Sequence, residues 1–383
     1  MKFSKILSAG IALFAMLFGA GNVVLSLALG RDAGNMVGYA LIGFMIGAVL
    51  IPLTGLIAAM LCGGDYKLLL GRVGKIPGSI VAAVGMVLIG PFGCIPRCVA
   101  TSYVAIKPYM PGCSILVFSL VASAIIFIAT IRQNGVIDLL GRFLGPIKLI
   151  LLFAIIIKGI FVAQPLIASG IPASDMFVKG LFEGYGTLDL LSIIFFAGLV
   201  VSGLRKNDTM GVTQDTRSLA LVGVKVGLIA ALLLGLVYAG FCMVAAMYAG
   251  HLPGVDRYEL LNTLAPLILG QKLGLLANIT VAVSCLATAI GISTVFAQYL
   301  STEIFNGKLH YIWALSITVA MTGVMANLGF KGIMNAIMPF VEICYPALIV
   351  LALFTIAQTL FGVRLVRMPF FATLLVTIFI RCW

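Results

Sequence analysis

The sequence predicts an all-α, polytopic membrane protein, and its composition and its apolar runs support this class. Of its 383 residues, 62% are hydrophobic and only 9% are charged. A soluble protein of this length needs far more charge to cover its surface. Apolar stretches of about 20 residues, each able to cross a hydrocarbon core of ~30 Å, recur along the chain. Because hydrocarbon cannot satisfy backbone polar groups, such stretches must be helices.

About eleven transmembrane helices are predicted, and they occupy most of the chain. In order, they lie near residues 6–29, 36–61, 76–106, 114–131, 138–163, 188–204, 218–249, 273–302, 309–327, 332–361 and 368–383. The stretch RYELLNTLAPLILGQKLG at 257–274 is typical of a short re-entrant or interfacial helix. Since no hydrophilic segment is long enough to form a separate soluble domain, residues 1–383 are predicted to form a single transmembrane domain.

The net charge of +12 is explained by the position of the basic residues in loops, without a nucleic-acid partner. If the N-terminus is cytoplasmic, the cytoplasmic loops and span ends hold the larger share of Lys and Arg, which is the usual orientation signal. Lys2 and Lys5 precede the first apolar run, but this run is longer than the core of a secretory signal. We therefore expect a retained first helix and a cytoplasmic N-terminus.

Cysteine and histidine usage argues against a metal centre and against an enzyme. Cys94 and Cys98 lie four residues apart and could in principle bind a metal, but no His or carboxylate is near them in the sequence. Buried apolar thiols are the favoured interpretation. His251 and His310 lie near loops, and no nucleophile–base pairing is found. No enzymatic activity and no cofactor are predicted.

Two spans contain residues that weaken a helix near its middle. The first has Gly19, Gly21 and Asn22, and the sixth has Ala197 and Gly198, followed by Ser202 and Gly203. These spans begin two five-helix halves, 6–163 and 188–361, with 368–383 as an additional helix. Broken helices at matching positions are typical of transporters built from inverted repeats. Close packing of helices through small residues is the alternative explanation.

A break at Gly19–Asn22 would expose two kinds of backbone group. The N–H groups of Ala20 and Gly21, at the positive end of the second half-helix, suit a substrate carboxylate, and Asn22 would orient the turn or contact the ligand. The carbonyl groups near Ala15 and Phe18, at the end of the first half-helix, suit a small cation. One unwound stretch thus offers both halves of a site for an amino acid and a sodium ion.

Hydroxyl groups in the eighth span could complete the sodium site. Ser284 and Thr288 lie four residues apart on one helical face. The alternative is that they bond to their own backbone or to a neighbouring helix. Phe195 and Phe196, beside the predicted break at Ala197 and Gly198, would provide an apolar pocket for the substrate side chain.

Charged residues inside spans are costly and usually functional. Arg97 lies in the third span and could be a gate residue, a helix-pairing residue or a substrate contact. Glu342 lies between Pro339 and Pro346 in the tenth span and could partner Arg97 or carry a proton. Both are candidates for gating or coupling.

Five separated stretches also carry a resemblance. They are FAMLFGAGNVV (14–24), GPFGCIPRCVATSY (90–103), LDLLSIIFFAGLVV (188–201), VSCLATAIGIS (283–293) and NLGFKGIMNAIMPFVEICYP (327–346). In these motifs and their order, the chain resembles the bacterial branched-chain amino acid:cation symporter family. It departs from the family pattern at Leu25, Ser26 and Leu27, where Phe-Pro-Pro is usual, and at Val104, where a glutamate is expected.

The resemblance implies an inverted-repeat (5+5) amino-acid transporter fold with helices 1 and 6 broken. It also implies import of leucine, isoleucine and valine, driven by sodium through alternating access, across the cytoplasmic (inner) membrane of a bacterium. It supports Gly19, Ala20, Gly21 and Asn22 at the first break, Arg97 as a family position, and Thr288 in the hydroxyl face. The alternatives are a proton-coupled or broader-specificity neutral amino acid transporter. A passive channel would need a continuous polar pore lining, which these spans lack.

Overall fold

Helices make up nearly all of the chain in the computed structural model, which describes residues 3–131, 145–162, 164–206, 216–362 and 365–382. The α-helices of this described part are α1 (Phe3–Leu17), α2 (Ala20–Ala33), α3 (Val37–Met45), α4 (Ile51–Leu61), α5 (Tyr66–Leu70), α6 (Lys75–Ile89), α7 (Cys94–Ile106), α8 (Ile115–Thr130), α9 (Gly145–Phe161), α10 (Ala173–Gly186), α11 (Asp189–Lys206), α12 (Thr216–Met247), α13 (Leu260–Leu269), α14 (Gln271–Tyr299), α15 (Tyr311–Ala326), α16 (Gly329–Phe361) and α17 (Arg367–Cys382). Within these described ranges, six helical segments are long and apolar enough to cross a membrane, and five shorter apolar helices accompany them.

The first span is interrupted as predicted, but over a shorter stretch. Helix α1 ends at Leu17 and α2 begins at Ala20, so Phe18 and Gly19 alone separate them. Ala20, Gly21 and Asn22 were expected to be unwound, and they instead form the first turn of α2. The side chain of Asn22 holds this turn, because its Oδ1 accepts the N–H of Gly19 at 2.8 Å.

The sixth span is broken at a different place from the one predicted. It begins at Ala173, well before residue 188, and its break lies at Thr187–Leu188, between α10 and α11. Leu188 has a φ of +65°, which is rare for a residue with a side chain. Residues 197–203 lie inside the continuous helix α11, so the expected break there is wrong.

Ala197 and Gly198 of α11 serve packing, as the alternative explanation held, whereas a Cβ atom on Gly203 would meet nothing within 4 Å. A Cβ atom on Gly64 would lie 3.1 Å from the carbonyl oxygen of Ala197, and one on Gly198 would lie 3.2 Å from the carbonyl oxygen of Gly64. The loop after α4 therefore approaches α11 closely at this point. Small side chains are required on both partners for such an approach.

The remaining spans agree with the sequence apart from a few residues at their ends. The third span bends at Gly90–Gly93, between α6 and α7, where Pro91 and Pro96 disturb the helix. A short helix, α13, occurs within 257–274 as expected. The span predicted at 138–163 is described only from residue 145, and its first part lies outside the described residues.

A single cluster of buried apolar side chains runs through the helices. Near its centre, α14 packs against α7, and α12 packs against α1 and α2. Because successive spans alternate in direction, Phe3, Lys67 and Lys308 lie at one end of the bundle, which we call the N-terminal face. Lys107 and Arg257 lie at the opposite face. The two broken spans thus meet inside the bundle, between the two faces.

Candidate functional site

Four oxygen atoms converge where α1 ends, and they belong to the four residues that the sequence predicted for sodium. The hydroxyl of Ser284 donates to the carbonyl of Phe18 at 3.2 Å. The hydroxyl of Thr288 lies 3.3 Å from the carbonyl oxygen of Phe18 and 3.5 Å from that of Ala15. Tertiary structure therefore brings the unwound end of α1 against the hydroxyl face of α14.

The spacing of these oxygens suits a small cation. Oxygen ligands lie about 2.3–2.6 Å from Ca²⁺, an ion of nearly the same radius as Na⁺. Two such ligands at right angles around one ion are about 3.3–3.7 Å apart, which matches the O···O separations of 3.2–3.5 Å. The carbonyl end of a helix also carries partial negative charge, which favours a cation.

Among the described residues, Arg97 is the largest fully buried side chain, and it lies between the two broken spans. Its Nη1 donates to the carbonyl of Gly186 at 2.6 Å, and its Nη2 donates to that of Thr187 at 3.0 Å. The guanidinium group therefore occupies the C-terminal end of α10, where the helix dipole favours a cation. Its Nε is buried and has no hydrogen-bond partner in the described part of the chain.

The guanidinium group of Arg97 also touches the start of α2. A Cβ atom on Gly21 would lie 2.7 Å from Nη2 and 3.0 Å from Nη1. The first-turn N–H groups of Ala20 and Gly21 have no acceptor within α2, so the start of α2 carries partial positive charge. This helix end and the guanidinium group therefore place two positive groups side by side. An arginine beside a helix N-terminus is a favourable environment for a carboxylate.

A cavity of about 220 Å³ lies next to the guanidinium group of Arg97, toward the face opposite the N-terminal face. This exceeds the ~150 Å³ of an engineered apolar cavity that binds benzene, so it has room for a branched aliphatic side chain. The residues that line it include an apolar set, namely Leu25, Phe182, Gly186, Phe330, Met334 and Met338, and a polar set, namely Lys179, Glu183, Arg257, Tyr258 and Asn335.

Arg97 lies between the start of α2 and this cavity. Its Nη1 lies 3.4 Å from the sulfur of Met334, and its guanidinium carbon lies 5.6 Å from the centroid of the Phe330 ring. Leu25 follows Gly21 by one helical turn and lies beside Gly186. Leu25, which stands in place of the family phenylalanine, therefore contributes to the apolar wall.

An ion pair between Arg257 and Glu183, with an N···O distance of 2.7 Å, spans the polar side of the cavity. Burial lowers the pKa of Arg257, but contact with the Glu183 carboxylate outweighs this effect and raises it. The guanidinium group therefore stays charged. The ion pair joins the segment before α13 to α10 across the cavity.

Asp189, which the sequence analysis did not single out, lies at the first residue of α11 and is only 2% exposed. Asn22 donates from Nδ2 to both carboxylate oxygens, at 3.2 and 2.9 Å, and Tyr238 donates from its hydroxyl at 2.8 Å. Asn22 and Tyr238 also contact each other. An acid within the apolar run 187–201 was the signal that could have identified it.

Phe195, Phe196, Ala197 and Gly198, predicted as substrate contacts, lie two or more turns from the observed break. The rings of Phe195 and Tyr66 are 5.1 Å apart, and Phe196 is fully buried. Since α11 is continuous here, these residues do not line the cavity beside Arg97. Phe195 and Gly198 instead line a cavity of about 750 Å³ at the N-terminal face.

Glu342 does not partner Arg97. Its carboxylate forms an ion pair with Arg381 at 2.6 Å, where α16 packs against α17. The side chain is 25% exposed in the described structure. The expected pairing is therefore wrong, because the tenth span turns this residue toward the last helix.

Comparisons with known proteins match nearly the whole chain. A family model described as branched-chain amino acid transport protein matches residues 2–381. Branched-chain amino acid permease BraB of Bacillus subtilis is 31% identical over 364 residues, covering 93% of this chain and 80% of that protein. Branched-chain amino acid permease BrnQ of Escherichia coli K12 is 28% identical over 384 residues, covering 98% and 86%.

Solved structures share the fold. Mhp1, a nucleobase-cation-symport-1 family transporter in a closed conformation, aligns with a TM-score of 0.60 and 14% identity, covering 99% of this chain and 92% of that one. A manganese transporter of Eremococcus coleocola aligns with a TM-score of 0.56 and 13% identity, covering 98% and 85%. At these identities the likeness concerns the fold alone, and it confirms the predicted transporter fold class.

Proposed function

The chain belongs to the branched-chain amino acid transport protein family, and we propose that it imports leucine, isoleucine and valine by sodium symport through alternating access. As a member of this family it is a multi-pass membrane transporter and not an enzyme. The bacterial relatives and the charge distribution support a place in a bacterial cytoplasmic membrane, with the N-terminus inside.

The observation that carries the proposal is the arrangement of charge at the two helix breaks. The start of α2 and the guanidinium of Arg97 face the same point and suit the substrate carboxylate. The cavity lined by Leu25, Gly186 and Met334 begins there and suits a branched aliphatic side chain. A zwitterion with such a side chain meets both requirements.

Sodium is the proposed coupling ion because of the oxygen cluster formed by Ala15, Phe18, Ser284 and Thr288. This cluster contains no carboxylate, and its ligands are neutral oxygens at the negative end of a half-helix. A monovalent ion fits such a site better than a divalent one, which usually recruits carboxylates. The ion would join α1 to α14 while the substrate joins α2 to α10.

The test is uptake of labelled leucine into proteoliposomes that contain the purified protein. We expect accumulation under an inward sodium gradient and only equilibration when choline replaces sodium. Unlabelled isoleucine and valine should compete, whereas lysine and glutamate should not. Accumulation driven by a pH gradient without sodium would instead establish proton coupling. Failure to accumulate any branched-chain amino acid would overturn the substrate assignment, and ion currents without saturable uptake would indicate a channel.

A further inference from the structure

Asp189 has an environment that differs from that of the other acids in contact with basic groups. The carboxylates of Asp32, Glu183, Glu303 and Glu342 each form an ion pair, with Lys179, Arg257, Lys67 and Arg381 respectively. Asp189 is more deeply buried than any of them, yet within the described chain its hydrogen-bond donors are uncharged groups, and it forms no ion pair.

The nearby arginine does not neutralise this carboxylate directly. Arg97 contributes electrostatically, but its two Nη atoms are occupied by the carbonyl oxygens of Gly186 and Thr187. A buried carboxylate without a paired cation is costly, and one inside a membrane bundle usually marks an ion or proton pathway. The positive end of α11 offsets part of this cost, but it carries only about half an elementary charge.

Oxygen atoms suitable for a cation surround Asp189. They belong to the hydroxyl of Tyr238, 2.8 Å from the carboxylate, and to the hydroxyl of Thr187, which accepts the N–H of Asp189 at 3.4 Å. Asn22 turns its Nδ2 toward the carboxylate and its Oδ1 toward Gly19, so it orients the carboxylate and supplies no oxygen here. Carboxylate, amide and hydroxyl oxygens are the ligands that hard cations prefer. This cluster is separate from the one at Ser284 and Thr288.

We propose that Asp189 binds a second transported monovalent cation, a sodium ion or a proton, at a coupling site formed with Asn22, Tyr238 and Thr187. The inference rests on the proposed symport function and deepens it, since two cations would accompany each substrate. Asn22 links the site to the first break, because its Oδ1 accepts the N–H of Gly19, whose preceding residue, Phe18, supplies a carbonyl to the other site.

Titratable or charged groups face Asp189 from three neighbouring helices: Cys94 and Arg97 on α7, Tyr238 on α12 and Tyr345 on α16. The α2 partner, Asn22, and the Thr187 hydroxyl do not titrate. If the cation is a proton, it resides on a carboxylate oxygen of Asp189 and leaves to water after the site opens to the other side. No covalent change in the protein is involved.

The decisive experiment measures how many charges accompany each leucine, in proteoliposomes held at a set membrane potential. The wild type is compared with Asp189→Asn and with the control Asp175→Asn, which makes the same change at an exposed acid in the first turn of α10. Since leucine is a neutral zwitterion, we expect two positive charges per leucine for the wild type and for Asp175→Asn. We expect one charge per leucine for Asp189→Asn.

Two further measurements distinguish the ions. If the second cation is sodium, the ratio of ²²Na⁺ to leucine falls from two to one in Asp189→Asn. If it is a proton, the sodium ratio stays at one in both proteins, and leucine-dependent acidification of the lumen disappears in the variant. An unchanged charge per leucine in an active Asp189→Asn variant would overturn the proposal.

A second variant covers the case in which Asp189→Asn does not fold. Tyr238→Phe keeps the ring and the carboxylate but removes one oxygen ligand. If the second cation is sodium, we expect its half-saturating concentration to rise about tenfold, with leucine affinity unchanged at saturating cation. If it is a proton, we expect the half-saturating proton concentration to fall instead, because the Tyr238 hydroxyl donates to the Asp189 carboxylate and stabilises its ionised form. No shift would overturn the site. If the wild type accumulates leucine with sodium and both variants behave like the wild type, the second cation site is wrong and the symport function stands. If the wild type does not accumulate leucine, both the symport function and the second cation site are wrong.

Discussion

At the residue scale, the glycines of the first break are explained by what a side chain would touch. A Cβ atom on Gly21 would overlap the guanidinium of Arg97, and one on Gly19 would lie 3.1 Å from the methyl carbon of Thr288. Each glycine therefore allows the backbone to approach a proposed ligand group. Gly21 lies on the substrate side of the break, and Gly19 lies on the sodium side.

Replacing Gly21 with alanine should weaken substrate binding. The added methyl group would push the guanidinium of Arg97 away from α2, because the group is buried and held by two carbonyls. Overpacking of this kind costs about 1–3 kcal/mol, so we expect the half-saturating leucine concentration to rise about tenfold or more. Leucine uptake at saturating sodium measures this.

Gly203→Ala is the matched control for Gly21→Ala, because a Cβ atom on Gly203 meets nothing within 4 Å. It should leave leucine kinetics unchanged. If Gly21→Ala takes up leucine with wild-type kinetics, Gly21 is not part of the substrate site.

Replacing Thr288 with alanine should weaken activation by sodium. The change removes one of the proposed ligand oxygens, a loss of about 1–1.5 kcal/mol, so the half-saturating sodium concentration should rise about tenfold. Selectivity among leucine, isoleucine and valine should change little, since Thr288 faces the end of α1. Thr288→Ser keeps the hydroxyl and should retain near-normal activation. If Thr288→Ala has the same sodium dependence as the wild type, Thr288 serves helix packing and does not bind sodium.

At the scale of elements, three of the four helix ends at the two breaks meet a complementary group, whereas the start of α2 meets a second positive group. The C-terminal end of α10 binds Arg97, and the N-terminal end of α11 carries Asp189. The end of α1 faces two hydroxyl groups, and the start of α2 faces the guanidinium across Gly21. Helix breaks inside a membrane are tolerated where such partners satisfy the freed backbone groups.

Helices α3 and α10 pack through glycines spaced four residues apart on both partners. A Cβ atom on Gly43 would lie 2.1 Å from the carbonyl oxygen of Phe177, and one on Gly180 would lie 2.1 Å from that of Ala40. Gly47 and Gly184 meet one turn further along. Without a hydrophobic driving force between helices in lipid, such close backbone contact is a main source of association.

Gly43→Ala should therefore destabilise the bundle and shift α10, which ends at the substrate cavity. We expect a loss of about 1–3 kcal/mol, seen as a fall of several degrees in the thermal transition of the detergent-solubilised protein. Gly38→Ala, on the same helix, is the control, because a Cβ atom there meets nothing within 4 Å. A transition temperature equal to that of Gly38→Ala would contradict the proposed packing role.

At the scale of the whole molecule, two cavities lie toward opposite faces. One of about 750 Å³ lies at the N-terminal face, and one of about 220 Å³ lies beside Arg97 toward the opposite face. Among the described residues, none lines both cavities. The layer between them contains the helix breaks, which is the arrangement that alternating access around a central site requires.

The orientation of the bundle can be tested with two exposed lysines at its opposite ends. Lys107 follows α7, and Lys308 lies in the loop between α14 and α15. If the N-terminus is cytoplasmic, a membrane-impermeant maleimide should label Lys107→Cys in right-side-out vesicles. It should label Lys308→Cys only after the membrane is permeabilised. The parent protein measures the contribution of native cysteines such as Cys113. The reverse pattern would invert the assigned topology.

Much of the first half of the site could be predicted because its signals are local. Gly19, Gly21 and Asn22 weaken a helix by their own backbone preferences, whatever surrounds them. The hydroxyls of Ser284 and Thr288 share a face because residues four apart always do in an α-helix. The break in the sixth span has no such signal, since Leu188 favours a helix. Leu188 nevertheless takes a positive φ, with its side chain fully buried among the surrounding helices.

Hydropathy and local backbone energetics are sufficient to predict the helical membrane class, the approximate spans and the break near Gly19. Tertiary structure decided the break before Asp189, the pairing of Glu342 with Arg381, and the contact of Arg97 with the end of α10. The physical reason is that a buried charge is stabilised by groups distant in the chain. Residue type shows that a partner is needed, and only packing selects it.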